Sequence, residues 1–187
     1  MAQKGQSLIL RAKALKNRVK PLNQSSLQEI ALRYVSRYAT TRHKLRAYLH
    51  RKLRERNWDG EQPAEIEPMI ERFVDLGYVD DVLFAKNRAA SLLNRGYGKR
   101  RVSQALYQAG IEEGDDKSAL ALSEERKWEA ATNHARKKRI GPFASEQNDA
   151  DKCQKQLQAF LRAGHDFDIA SRFVFAKPGE DISNRDE

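Results

Sequence analysis

Apolar residues return every three or four positions along most of the chain. This spacing is typical of helices that bury one face, and it holds from about residue 25 to residue 175. No segment alternates apolar and polar residues with clustered β-branched side chains, so strands are not expected. The pattern divides into about nine helices in three groups of three. It therefore predicts an all-α protein made of three tandem three-helix repeats.

The clearest helix boundaries lie in residues 76–111. Gly77 can take the left-handed conformation that ends a helix, Tyr78 can fold back onto the last turn, and an aspartate then begins the next helix. Two further glycines break that helix, and another closes the basic helix that follows. The positions assigned structural roles are Gly77, Tyr78, Asp80, Asp81, Phe84, Gly96, Gly98 and Gly110.

Other helix starts are predicted from side chains that accept hydrogen bonds from free backbone N–H groups. Ser26 and Glu29 have the spacing of a capping box, with Ser26 as the capping residue. Thr40 or Thr41 is expected to begin the second helix, and Ser123 the seventh.

These boundaries divide the chain into five parts. The parts are a basic N-terminal arm (1–24), three helical repeats (25–79, 80–122 and 123–175) and a disordered C-terminal tail (176–187). In each repeat an apolar residue of the middle helix precedes the closing position by four residues. These apolar residues are Leu49, Leu106 and Phe160.

Charge suggests a class of partner. Hydrophobic residues make up 40% of the 187 and charged residues 33%, which favours small stacked units with modest cores. The net charge of +9 favours a polyanion as partner, most often a nucleic acid.

The sign of the charge alternates in phase with the helix groups. The net charge is +12 over residues 1–60, −6 over 61–85, +6 over 86–110, −4 over 111–129, +4 over 130–163 and −3 over 164–187. Two interpretations remain open. The acidic third helices neutralise their basic neighbours, or the basic helices together bind an extended acidic partner.

Several kinds of site are not expected. Cys153 is the single cysteine, which excludes an internal disulfide and fits a reducing cytoplasm. The four histidines are scattered along the chain without metal-ligand spacing, and no stretch approaches the ~20 apolar residues of a membrane span. Asp80 and Asp81 could imitate a metal-binding pair, but a helix start at the same place makes capping the stronger interpretation. We therefore predict no catalytic residues, no metal and no cofactor.

Five segments, in order over residues 25–175, resemble the RecX family of bacterial recombination regulators. They are Ala31-Leu32-Arg33-Tyr34-Val35, Lys44-Leu45 to Leu49, Leu76-Gly77-Tyr78-Val79-Asp80-Asp81 with Phe84-Ala85, Arg95-Gly96-Tyr97-Gly98, and Gly110-Ile111. The glycine–tyrosine–aspartate segment together with the Arg95–Gly98 turn is the most specific part. At the third closing turn, Ala163 and His165 depart from the residues usual in the family.

The resemblance implies tandem three-helix repeats that form an elongated, curved, solenoid-like molecule. It also implies binding to the RecA recombinase filament on single-stranded DNA. The expected consequence is modulation, mainly inhibition, of the filament's ATPase, recombinase and coprotease activities. Binding of the protein itself to single-stranded DNA is implied as well, with double-stranded DNA as an open alternative. A monomer is expected.

Nine basic residues are the candidates for contacts with RecA or with DNA phosphates. They are Arg42, Arg46, Arg95, Lys99, Arg100, Arg101, Lys137, Lys138 and Arg139. Two other functions stay open. One is a stand-alone, sequence-independent nucleic-acid-binding protein. The other is a helix-turn-helix transcription factor, which is weaker because only Gln104 and Gln108 of its recognition helix could read base edges.

Overall fold

The computed structural model describes residues 20–182, and over this range the protein contains nine α-helices. They are α1 (Gln24–Val35), α2 (Arg42–Glu55), α3 (Ile66–Asp75), α4 (Asp81–Asn94), α5 (Lys99–Gln108), α6 (Lys117–Glu125), α7 (Lys127–Lys138), α8 (Ala150–Arg162) and α9 (Phe167–Phe175). A short 3-10 turn, Gly141–Phe143, follows α7. The predicted all-α helical repeat class is confirmed. The chain divides into two compact units that separate after Asp80.

The first unit packs α1, α2 and α3 around one hydrophobic core. Leu27, Leu45 and Ile70 are fully buried there, one from each helix. Leu22 is also fully buried, and its backbone N–H donates to the Asn57 carbonyl at 2.7 Å. The end of the predicted N-terminal arm therefore belongs to this core. The predicted helical face of Leu8, Ala12, Leu15 and Val19 lies outside the described residues.

The start of α1 differs from the prediction. The N-cap is Asn23, whose side-chain oxygen accepts from the Ser26 backbone N–H at 2.9 Å, while the Ser26 hydroxyl accepts from the Asn23 N–H at 2.9 Å. The prediction of Ser26 as the capping residue is wrong, because Asn23 is an equally good acceptor and begins the helix earlier. The Thr41 cap of α2 is confirmed, since its hydroxyl accepts from the Lys44 N–H at 3.1 Å.

Four helices end in the same way, with a left-handed glycine. After α3, Gly77 has φ +73°, and the N–H of Tyr78 donates to the Phe73 carbonyl at 2.8 Å. The same bond, spanning five residues around a positive-φ glycine, closes α4, α5 and α8. The equivalent pairs are Tyr97 to Leu92, Ile111 to Leu106 and His165 to Phe160. The predicted stops at Gly77, Gly96 and Gly110 are therefore confirmed.

The second unit contains α4 to α9 and has two hydrophobic cores. The first is rich in alanine, with Ala85, Ala89 and Ala119 fully buried where α4 meets α6. The second centres on Phe160 and Phe173, whose rings stack with their centroids 5.8 Å apart. The predicted repeat limits at residues 79 and 122 stay predictions.

Within this unit two expectations need correction, those for Ser123 and for the C-terminal tail, and the burial of Phe84 is now defined. Ser123 lies inside α6, where its buried hydroxyl donates to the Ala119 carbonyl at 2.7 Å, so it does not begin α7. Phe84 is half-buried, while the alanines of α4 face the core. Residues 176–182, expected to be disordered, run beside the second core, with Ile182 packed against it. Residues 183–187 lie outside the described range.

Candidate functional site

The turn between α4 and α5 packs against the closing turn of α8. The Gly98 N–H donates to the Ala163 carbonyl at 2.9 Å, and the Arg100 N–H donates to the Gly164 carbonyl at 3.2 Å. A Cβ atom added to Gly98 would lie 2.3 Å from the Gly164 carbonyl oxygen. Gly98 is therefore required for close backbone approach, although its φ of −84° is open to any residue.

Two histidines meet behind this turn. His134 and His165 are buried with ring centroids 5.4 Å apart, and the His165 Nε2 lies 3.0 Å from the Gly96 carbonyl oxygen, to which it donates. Both rings pack against Phe160. The two histidines are far apart in the sequence, and α7 and the α8–α9 turn bring their rings together.

The pair serves packing better than metal binding. Burial first, and the neighbouring His165 second, lower the pKa of His134 from 6.5 to about 4. Burial also lowers the pKa of His165. Both rings are therefore neutral at pH 7. Within residues 20–182 no group of three or more histidine, cysteine, aspartate or glutamate side chains is placed to hold a metal ion.

The candidate arginines of the first unit are held in ion pairs. Arg46 on α2 donates two hydrogen bonds of 2.6 Å to the carboxylate of Glu67 on α3. The hydrogen bonds from Arg46 lower the pKa of Glu67. Arg42 lies one turn earlier on α2, with its Nε 3.8 Å from Glu71. In this unit carboxylates of the acidic third helix thus pair with two cations of the basic second helix.

The basic start of α5 is partly neutralised as well. The Lys99 Nζ donates to Glu124 on α6 at 3.0 Å, and the Arg100 Nε lies 3.7 Å from Asp166. The hydrogen bond from Lys127 lowers the pKa of Glu124 most, and the hydrogen bond from Lys99 lowers it next. Arg101 is exposed and donates to the side chain of Gln104 at 2.5 Å.

Four other candidates form what we call the unpaired basic group. The group is Arg95, Lys137, Lys138 and Arg139. All four side chains are exposed, and within the described part of the chain none forms an ion pair with a carboxylate. Gly96 packs against the His134 backbone, which places Arg95 on the turn beside α7, one helical turn from the lysines.

Arg139 has an unusual backbone at the end of α7. Its φ is +53°, and the Ile140 N–H donates to the Ala135 carbonyl at 2.9 Å. This is the helix ending found after α3, α4, α5 and α8, but with arginine in the place of glycine. A left-handed conformation costs a non-glycine residue about 1 to 2 kcal/mol. Arginine at this position therefore makes the folded protein less stable than glycine would.

Comparisons with known proteins can be set against this geometry. The family model described as RecX, second three-helix domain, matches residues 80–120. A regulatory protein RecX of Myxococcus xanthus (strain DK1622) is 31% identical over 169 residues, which are 86% of this chain and 90% of that protein. A regulatory protein RecX of Agrobacterium fabrum (strain C58) is 29% identical over 72% of this chain and 73% of that protein.

A solved structure has a similar fold. The crystal structure of RecX from Lactobacillus salivarius aligns with a TM-score of 0.58 at 22% identity, over 78% of this chain and 90% of that one. This likeness supports the all-helical fold. Among residues 20–182 no helix has the length and apolar content needed to cross a membrane.

Proposed function

The chain belongs to the RecX family of regulatory proteins, and from this premise we propose that it binds the filament that RecA forms on single-stranded DNA. Bound there, it modulates, mainly inhibits, the ATPase, recombinase and coprotease activities of the filament. In this proposal the protein acts in the cytoplasm as a monomer. It works by binding alone, without a catalytic residue, metal or cofactor.

The unpaired basic group is the observation that carries the proposal. Exposed cations without a carboxylate neighbour are available to a polyanion, and each phosphate they contact releases a condensed counterion. Cations in ion pairs must first exchange one partner for another. Arg95, Lys137, Lys138 and Arg139 are therefore the strongest candidates for contacts with DNA phosphates or acidic recombinase side chains.

The other basic candidates rank lower. Arg46 would lose two short hydrogen bonds to Glu67 on changing partner, and Lys99 would lose its bond to Glu124. Arg42 and Arg100 lie at longer distances from Glu71 and Asp166, so a phosphate can displace these pairs more easily. Arg101 has no carboxylate partner to exchange within the described residues and ranks with the unpaired basic group.

DNA-dependent ATP hydrolysis by RecA tests the proposal. Added in amounts well below one molecule per RecA subunit, the protein should lower the hydrolysis rate before it covers a measurable share of the bare DNA. The triple variant Lys137→Gln, Lys138→Gln, Arg139→Gln should need several-fold more protein for the same inhibition.

A matched triple variant serves as the control. Lys86→Gln, Arg88→Gln, Lys117→Gln removes the same charge from exposed positions outside the unpaired basic group. It should inhibit almost as the unmodified protein does. The regulator proposal fails if inhibition appears only once the protein has saturated the bare DNA.

A second candidate function is sequence-independent nucleic-acid binding without a recombinase. The net charge of +9 favours it, because a polyanion alone would satisfy the unpaired basic group. This alternative predicts that any inhibition tracks DNA coverage. It also predicts that excess competitor DNA restores the ATPase rate completely.

A further inference from the structure

A cleft that combines tyrosines and arginines opens on the first unit. It has a volume of about 460 Å³ and lies between α1 with its C-terminal turn and the middle of α2. Its lining residues are Ile30, Arg33, Tyr34, Arg37, Tyr38, Tyr48 and Arg51. Three of these seven side chains are aromatic, three are cationic and none is acidic.

The three tyrosines form a connected set of rings. Tyr34 and Tyr48 stack with centroids 4.1 Å apart and planes 14° from parallel, and both pack against the core. Tyr38 is tilted against Tyr34 at 5.4 Å, and 57% of its surface remains exposed. The inner pair thus supports an outer ring that offers its surface to solvent.

The arginines surround this aromatic set. Arg33 and Arg37 are exposed and have no ion-pair partner within residues 20–182. Arg51 lies over the Tyr48 ring at 5.3 Å and is shared with Glu55 at 3.7 Å. Arg33 and Arg37 are therefore available to bind an anion, and Arg51 is in only a long ion pair with Glu55.

We propose that this cleft binds single-stranded nucleic acid, with a base stacked on Tyr38 and flanking phosphates bound by Arg33 and Arg37. A base offers an aromatic face to Tyr38, and stacking tolerates any sequence. An acidic peptide would use the arginines but leave the exposed tyrosine without a complementary surface. The inference rests on the proposed function, in that it gives the DNA contact a second location apart from the unpaired basic group.

Fluorescence anisotropy with two labelled probes tests the stacking. One probe is an oligothymidylate of about 15 nucleotides, and the other is an abasic strand with the same number of phosphates. Tyr38→Ala should weaken binding to oligothymidylate by roughly five- to tenfold and change binding to the abasic strand by less than about twofold. Tyr38→Phe keeps the ring and should retain the affinity for both probes.

The matched control for the ring is Tyr107→Ala. Tyr107 lies in the second unit, outside the cleft, and is 84% exposed. Its removal should change neither affinity. Because Tyr38 is exposed, Tyr38→Ala should unfold at nearly the same temperature as the unmodified protein, and circular dichroism checks this.

The arginine contact is tested by a second pair of variants. Arg37→Gln should weaken binding to both probes more than Arg54→Gln does, because Arg54 carries the same charge on the exposed surface of α2 without lining the cleft. If the two variants lose the same affinity, Arg37 acts only through its general positive charge, and its role as a phosphate contact is overturned.

The outcomes separate this inference from the proposed function. If Tyr38→Ala and Tyr107→Ala bind oligothymidylate equally, the cleft is not the stacking site, while the proposed function stands. If Tyr38→Ala loses inhibition of RecA but binds both probes normally, the cleft binds protein and the inference is overturned. If the unmodified protein binds neither probe, the inference fails together with DNA binding by the protein itself, whereas the ATPase assay still decides recombinase binding.

Discussion

Arg139 retains a conformation that glycine would adopt without strain. Its neighbours in the helix ending, Ala135 and Ile140, are buried, and the arginine side chain itself is exposed. Strain of this kind is kept where the side chain has a use. Under the proposed function, contact with DNA or with the recombinase would be that use.

Arg139→Gly should therefore stabilise the protein and weaken its binding to DNA. We expect a gain of about 0.5 to 1 kcal/mol in the free energy of unfolding, since relief of strain exceeds the entropy that glycine adds to the unfolded chain. Urea titration measures this gain. Arg139→Ala, the control, should lose affinity for DNA without the gain in stability. A glycine variant that is less stable than the unmodified protein would contradict the strain argument.

His134 predicts a pH dependence of stability. Burial, followed by the charge of His165, lowers its pKa from 6.5 to about 4 in the folded protein. Between these values the unfolded chain binds a proton that the folded protein does not, so acid favours unfolding. The contribution of His134 to the free energy of unfolding is therefore fully present above pH 6.5, and it is lost as the pH falls from there to about 4.

The expected loss is on the order of 2 kcal/mol between about pH 7.5 and pH 5. Urea titrations at both pH values measure it. His134→Gln should reduce this dependence, with the remainder due to His165, whose pKa burial also lowers, whereas His50→Gln, at an exposed position, should keep it. Equal pH dependence in the His134→Gln variant and the unmodified protein would show that His134 does not cause the loss of stability in acid.

At the scale of elements, α8 is anchored by one aromatic residue. Phe160 is fully buried and contacts Phe173, His134 and His165. Phe84 of α4, which the sequence assigned only a structural role, is half-buried. In α4 the fully buried side chains are Ala85 and Ala89, where α6 packs against it.

The two phenylalanines should therefore differ in their effect on stability. Phe160→Ala is expected to cost about 3 to 5 kcal/mol, because it leaves a cavity in a dry core. Phe84→Ala should cost about 1 to 2 kcal/mol, since part of the ring already faces water. Denaturant titration of the two variants side by side gives the comparison. A Phe84→Ala loss as large as that of Phe160→Ala would show that the ring is a core residue after all.

The tyrosine–arginine cleft is a feature that sequence reasoning missed. Tyr34 and Tyr38 are four residues apart, the spacing of one helix face, although in the structure α1 ends at Val35. Tyr48 lies on the next helix, and only the packing of α2 against α1 brings its ring within 4.1 Å of Tyr34. A run of tyrosines interleaved with arginines was the available signal.

Across the whole molecule, ion pairs account for part of the alternating charge, and binding of an acidic partner by the basic helices stays a prediction. Acidic helices neutralise Arg42, Arg46 and Lys99, and the unpaired basic group remains open. The 35 lysines and arginines thus include a paired part, which holds helices together weakly, and an unpaired part, which under the proposed function contacts the partner.

This division predicts which charges set the salt dependence of DNA binding. Each contact with a single-strand phosphate contributes about 0.7 to the slope of log affinity against log salt. The Lys137→Gln, Lys138→Gln, Arg139→Gln variant should lower that slope by about 2, and Arg42→Gln, Arg46→Gln by about 1 or less. Anisotropy titrations at several salt concentrations measure the slopes. Equal changes per removed charge would mean that ion pairing does not decide which cations contact DNA.

Local signals along the chain determined the helical class, most helix ends and the closing glycines. Capping and left-handed endings involve groups within about five residues of one another, so the sequence records them directly. Only the tertiary structure decided which cations are neutralised, that Gly98 touches the α8 turn, and that His134 and His165 meet. These contacts join distant positions, such as His165 and Gly96, 69 residues apart, and helix packing alone determines which distant residues come together.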